Sequence, residues 1–168
     1  RREPTMETKA FQEFYPDELS LCYGCGRLNP HGLQIKSYWD GDESVCRFQP
    51  SPQHTVLAGY VYGGLIASII DCHGTGTGAA AMYRAENRPM DSQPPIRCVT
   101  AKLQVEYLMP TPMGELELRG RIRDLSPRKA IVVVEVLADG TVCTKGEVIA
   151  VRINDEWMEK YRQPAELS

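Results

Sequence analysis

Five positions in this chain have the residue types and spacing to do chemistry: Tyr62, Gly63, Gly64, Asp71 and, further on, Thr100. The stretch GYVYGGLIASIID places two glycines where a helix should begin and a carboxylate inside an otherwise apolar helical run. The first N–H groups of a helix have no intrahelical acceptor, and donors of that kind stabilise negative charge as it develops on an oxygen. Glycine lets another molecule approach them closely. An unpaired charge is expensive in a run such as IASIIDC, which suits an acid retained for proton transfer or nucleophilic attack. Plainer readings stand beside these. The glycines would also let the helix meet a sheet without side chains in the way, and Asp71 could be a core-edge acid held by backbone donors or an arginine.

Spacing limits how the two features cooperate. Gly63 and Asp71 are eight residues apart, about 12 Å along a helix, so one carboxylate cannot serve its own helix start. Gly64 and Asp71, seven apart, share a helix face. Two such helices packed antiparallel about a two-fold axis would bring each Asp71 to the glycines of the other subunit, so a homodimer is expected. Pairing of dimers into a tetramer is left open.

The elements that must position these residues are readable. LQIKSYW, the Asp40-Gly41 turn and SVCRF form a hairpin. The helix starts near Tyr62 and carries Leu65, Ile66, Ile69 and Ile70 on one face. Gly74, Gly76 and Gly78 each cost about 1 kcal/mol in a helix interior, so either it frays there or something packs unusually close. Over 99–107 and 115–123 apolar and polar residues alternate as in half-buried strands. IVVVEVL is apolar enough to be central, and the Asp139-Gly140 turn joins it to VCTKGEVIAVRI. DEWMEKYRQ reads as a short terminal helix. Strands and helices do not alternate, so an antiparallel sheet wrapped on one helix is the simplest packing. The expected division is an N-terminal extension over 1–32, one domain over 33–153 and a tail over 154–168.

A chain of 168 residues, 42% hydrophobic and 24% charged, suits one globular domain. A net charge of −3 gives no electrostatic reason to bind nucleic acid or an anionic membrane, and neither partner is expected. No stretch approaches the length of a membrane-spanning segment, and the first ten residues are polar. Of six cysteines, four sit singly in apolar or strand-like runs, which favours a reduced, cytoplasmic setting.

The order of elements, with GYVYGGLIASIID followed about thirty residues later by VTAKLQVEYLMPTPMGE, resembles the hotdog-fold acyl-CoA thioesterases, specifically their phenylacetyl-CoA thioesterase-like branch. The resemblance covers roughly Leu33 to Ile153. That family opens its helix with His-Gly-Gly and carries an acid seven positions after the second glycine. Here the glycines and the acid match, and Tyr62 stands in place of the histidine. The resemblance implies an α+β hotdog fold, dimeric, that hydrolyses an acyl-CoA thioester to free acid and thiol without a cofactor. It implies that the Gly63 N–H polarises the thioester carbonyl, that Asp71 acts as base or nucleophile, and that Thr100 assists.

Strict alternation places Thr100 on the polar side of its strand, away from the helix. A site at the dimer seam, or a bulge at the strand start, would remove that conflict. Tyr62 could donate a hydrogen bond or simply cap a pocket, and Gly64 extends the substrate-binding surface of the helix start. Arg128 and Lys129 offer cations for coenzyme A phosphates. His54 and His73 are acid-base candidates outside the core set. Cys22, Cys25 and His31 resemble a metal set with one ligand missing, and no metal is expected. GTGTG at 74–78 matches neither dinucleotide nor phosphate-loop patterns. Two rivals remain: a non-catalytic acyl-CoA binding module, and a hotdog acyl-thioester hydratase or dehydratase, which would need a histidine paired with an acid.

Overall fold

A computed structural model describes residues 8–162, so parts of the expected extension and tail, 1–7 and 163–168, lie outside the described residues. Six strands form one antiparallel sheet in the order β1-β2-β6-β7-β8-β5. They are β1 (Ser37–Asp40), β2 (Glu43–Phe48), β5 (Arg97–Tyr107), β6 (Leu116–Leu125), β7 (Lys129–Ala138) and β8 (Thr141–Ile153). A small hairpin of β3 (Thr55–Leu57) and β4 (Tyr60–Val61), not anticipated from the sequence, precedes helix α1 (Gly63–Ala85). The terminal helix α2 (Asp155–Lys160) begins at Asn154, whose side chain accepts the Trp157 N–H.

The sheet wraps α1 because its strands alternate. Ala130, Val132, Val134 and Val136 of β7, Leu116 and Leu118 of β6, and Val148 and Ala150 of β8 are all fully buried. They meet Leu65, Ile66, Ile69 and Ile70 of the helix. Each of the Val, Leu and Ile side chains contributes about 1.5–3 kcal/mol on burial. Asp139 and Gly140 both take positive φ (49° and 75°), the backbone that a two-residue β7–β8 hairpin needs. The β1–β2 turn uses Gly41 and Asp42, one position later than the Asp-Gly pair suggested.

The helix does not fray at its glycines. A Cβ on Gly74 would lie 2.5 Å from Val148 Cγ2, and one on Gly78 would lie 2.9 Å from the Ala150 Cβ. The glycines therefore mark where the helix backbone presses on β7 and β8, and the lost helix propensity is offset by the closeness of that contact.

The N-terminal segment is built into the molecule. Phe11 is fully buried with its ring 5.2 Å from that of Trp39, and Gln12 is buried against β1. Gln12 Oε1 accepts the Ser37 N–H at 2.8 Å and Gln12 Nε2 donates to Ser37 Oγ at 3.3 Å. Ser37 Oγ then lies 2.8 Å from His73 Nδ1, and Ser44 Oγ lies 3.0 Å from His73 Nε2 and 2.7 Å from Thr77 Oγ1.

His73 is wholly buried in this network, and burial pulls its pKa from 6.5 down to about 4. The unfolded imidazole takes a proton as pH falls through 6.5, whereas the folded one resists until about 4. Stability from this group is therefore complete above the unfolded value and is lost as pH falls through that window, by on the order of 3 kcal/mol. His73→Gln, which can still bond both serines, is expected to flatten that part of a stability-versus-pH curve measured by urea unfolding. A variant curve as steep as that of the wild type would refute the assignment.

Candidate active site

Asp71 sits midway along α1, half-buried, on the wall of a cavity of about 240 Å³. Thr100 of β5 borders the same cavity beside it and donates its hydroxyl proton to Asp71 Oδ1 at 2.5 Å. Thr75 Oγ1 lies 2.7 Å from Thr100 Oγ1. The single Thr100 proton goes to the carboxylate, so Thr75 must donate to Thr100, and the order Thr75 to Thr100 to Asp71 is fixed. Among the described residues only Oδ1 of Asp71 is engaged, which leaves Oδ2 free to act on a water.

The conflict over Thr100 has a structural answer. The β5–β8 register shifts between Thr100 and Lys102, so Ala101 is an extra residue and the strand changes face. Before it, Cys98 and Thr100 line the cavity beside the helix; after it, Val105 packs on the core while Tyr107 reaches Gly63. The alternation seen from 99 to 107 is correct only beyond the bulge.

The helix start forms a second cluster. Tyr62 is the N-cap, and its carbonyl accepts from the Leu65 and Ile66 N–H groups at 3.1 and 3.3 Å. The Gly63 and Gly64 N–H groups precede the first intrahelical donor, Leu65, and have the orphan character of helix-terminal donors. A Cβ on Gly64 would stand 2.4 Å from the Tyr62 ring, so that glycine makes room for the tyrosine to fold back over the first turn. Tyr107 donates its hydroxyl proton to the Gly63 carbonyl at 2.6 Å. Burial raises the Tyr107 pKa, with a further contribution from Tyr62, so it stays protonated and able to donate.

Asp71 and Thr100 thus come together, as do Tyr62, Gly63 and Gly64, but Asp71 and the glycines stand at different points along one helix. Arg128 and Lys129 are exposed at the start of β7 and join neither. Arg128 lines a shallow depression with Val99, Ala101, Arg152 and Trp157, away from the carboxylate cavity.

Sequence reasoning missed Thr75, Tyr15 and Cys72 as neighbours of the carboxylate. Thr75 is four residues after Asp71, on the same helix face, and that spacing could have revealed it. Tyr15 and the cysteines reach the cavity only through tertiary packing. Cys22, Cys25 and Cys72 bring their Sγ atoms within 4.8 Å of one another, with Cys22 and Cys72 3.7 Å apart. His31, considered with Cys22 and Cys25, is exposed and has no place in that group.

One long helix wrapped by a six-stranded antiparallel sheet, its glycine start at one end and its acid midway, is the hotdog arrangement. The sequence profile of the thioesterase superfamily matches residues 58–144, and this chain belongs to that superfamily. A thioesterase superfamily protein from Shewanella loihica is 43% identical and aligns over 83% of this chain and all of its own, with a TM-score of 0.63. A phenylacetic acid degradation-related protein of Ralstonia eutropha (17% identity, 71% of this chain and 85% of its own, TM-score 0.60) shares the fold. So does the E. coli PaaI protein (14% identity, 73% and 81%, TM-score 0.58). No curated protein matches the sequence. The chain is accordingly a thioester hydrolase by family, and no helix among the described residues is long and apolar enough to cross a membrane.

Proposed function

We propose that this protein hydrolyses acyl-CoA thioesters in a homodimer whose sites each combine the helix start of one subunit with Asp71 of the other. The observation that carries this reading is the Asp71 carboxylate, held by Thr100 on the wall of a cavity and eight residues along the helix from Gly63. The Gly63 N–H hydrogen-bonds the thioester oxygen and stabilises the charge it gains. Asp71 takes a proton from water while the water oxygen attacks the carbonyl carbon. The tetrahedral intermediate collapses, the carbon–sulfur bond breaks, and the proton passes to the departing thiolate, giving acid and thiol.

The surface around the helix start supports association. Val56, Leu57, Tyr60, Tyr62, Tyr107, Leu108 and Met109 are all exposed, by 40 to 68%. Contacts tie their segments into one area: Tyr60 bridges to Pro112, Thr111 O accepts the Val61 N–H, and Tyr107 meets Gly63. An apolar patch of this extent suits an interface between subunits. The hydratase reading is weakened because His73 is buried and committed to two serines.

Free-thiol release from short, long and aromatic acyl-CoAs is the direct test. Turnover of at least one series by the wild type, with the protein dimeric in solution, is the expected result. Binding of acyl-CoA without any thiol release would instead make the protein a binding module.

A further inference from the structure

The three cysteines beside the carboxylate have no part in the hydrolysis just described, and their arrangement is specific. Cys22 and Cys25 lie in a tight turn in which the Gly26 N–H donates to the Cys22 carbonyl at 2.8 Å. The backbone N–H groups of Cys25 and Gly24 point at Cys22 Sγ. Cys72 comes from the helix, fifty residues further on. Gly24 is fitted to it: a Cβ there would lie 2.3 Å from Cys72 Sγ, so the turn sits on the helix only because position 24 has no side chain.

We infer that Cys22, Cys25 and Cys72 form a binding site for a thiophilic divalent cation, zinc by the chemistry of the donors, with the fourth position left to an exogenous ligand. In a tetrahedral zinc site with zinc–sulfur bonds of ~2.3 Å, neighbouring sulfurs are about 3.8 Å apart. The Cys22–Cys72 separation is 3.7 Å, and all three sulfurs fall within 4.8 Å of each other. Three soft thiolates select zinc over magnesium or calcium, which prefer oxygen. Donated N–H groups such as those on Cys22 Sγ orient a thiolate ligand and hold its charge. The three residues all border the cavity that holds Asp71 and Thr100. The ion would pin the 22–25 turn to α1 at the residue next to Asp71 and so set one wall of that cavity.

The test is metal content and cobalt binding of the full-length chain, purified under reducing conditions. We expect about one zinc per chain as isolated. After chelator treatment, Co²⁺ should bind at about one equivalent, with the visible bands of a tetrahedral ion and a near-ultraviolet thiolate charge-transfer band, and should raise the unfolding midpoint. Cys72→Ser should remove about a third of the charge-transfer intensity and weaken binding at least ~10-fold, while Cys98→Ser, on the cavity wall but outside the cluster, should do neither. Reduced, folded wild-type protein with all six thiols free and no cobalt band would overturn the inference. So would a Cys22–Cys72 disulfide that forms in preference to zinc binding when equimolar zinc is supplied.

Discussion

Asp71→Asn should lower the turnover of thioester hydrolysis by about 100-fold or more while leaving the fold and the unfolding midpoint almost unchanged. Asparagine is nearly isosteric, and its amide oxygen can still accept the Thr100 hydroxyl that the aspartate accepts at 2.5 Å. What is lost is the capacity to take a proton from water. Thr100→Val removes the donor that orients the carboxylate and should cost less than removing the carboxylate itself. Steady-state kinetics on the best acyl-CoA substrate, with size-exclusion chromatography to check assembly, decide the matter. An asparagine variant within threefold of the wild type would remove Asp71 from the chemistry. Single turnover in ¹⁸O-labelled water then separates the two routes open to a carboxylate, because label appears in the Asp71 side chain only if it attacks the carbonyl itself.

Replacing Gly63 by proline should cost a comparable factor, about 100-fold or more, for a different reason. Gly63 is the first residue of α1, where proline is the best-tolerated substitution, since its missing N–H has no intrahelical acceptor. Tyr62, with φ −61° and ψ 128°, already has the extended backbone that a residue before proline prefers. The variant thus deletes the proposed oxyanion donor with little disturbance, while Gly63→Ala keeps the N–H and serves as its control. A Cβ there would lie 3.3 Å from the Tyr107 ring, which must give slightly in either variant. Mixing the proline variant with Asp71→Asn tests the shared site. Each mixed dimer would hold one intact combination, so random exchange of subunits should restore roughly a quarter of wild-type activity. Two nearly inactive proteins that remain inactive when mixed would place both groups in a single subunit.

The wrapped sheet was legible because β6, β7 and β8 each repeat apolar residues with a period of two, and nothing in the chain competes with α1 as the central helix. Asp71 and the paired glycines were legible because helix periodicity alone fixes their separation. Thr100 was assigned by position, yet its face was not, since a bulge leaves no local mark in VTAKLQVEY and arises only when β5 pairs with β8. The cysteine cluster was half visible. Cys22 and Cys25 announce themselves by spacing, but Cys72 lies among apolar helix residues and meets them through tertiary packing. Arg128 and Lys129 show the opposite failure, because cations that look suited to phosphate in sequence stand apart from the carboxylate cavity.

The single extra residue at Ala101 gives β5 two frames. Upstream of it, Cys98 and Thr100 border the carboxylate cavity; downstream, Val105 packs on the core and Tyr107 reaches the helix start. The bond to the Asp71 carboxylate and the contacts of Val105 and Tyr107 therefore come from separate stretches of one strand. Substitutions at 98 and 100 can retune the cavity without touching the packing made by Val105 or the bond made by Tyr107. The strand is in effect modular, with the bulge as the joint between its two jobs.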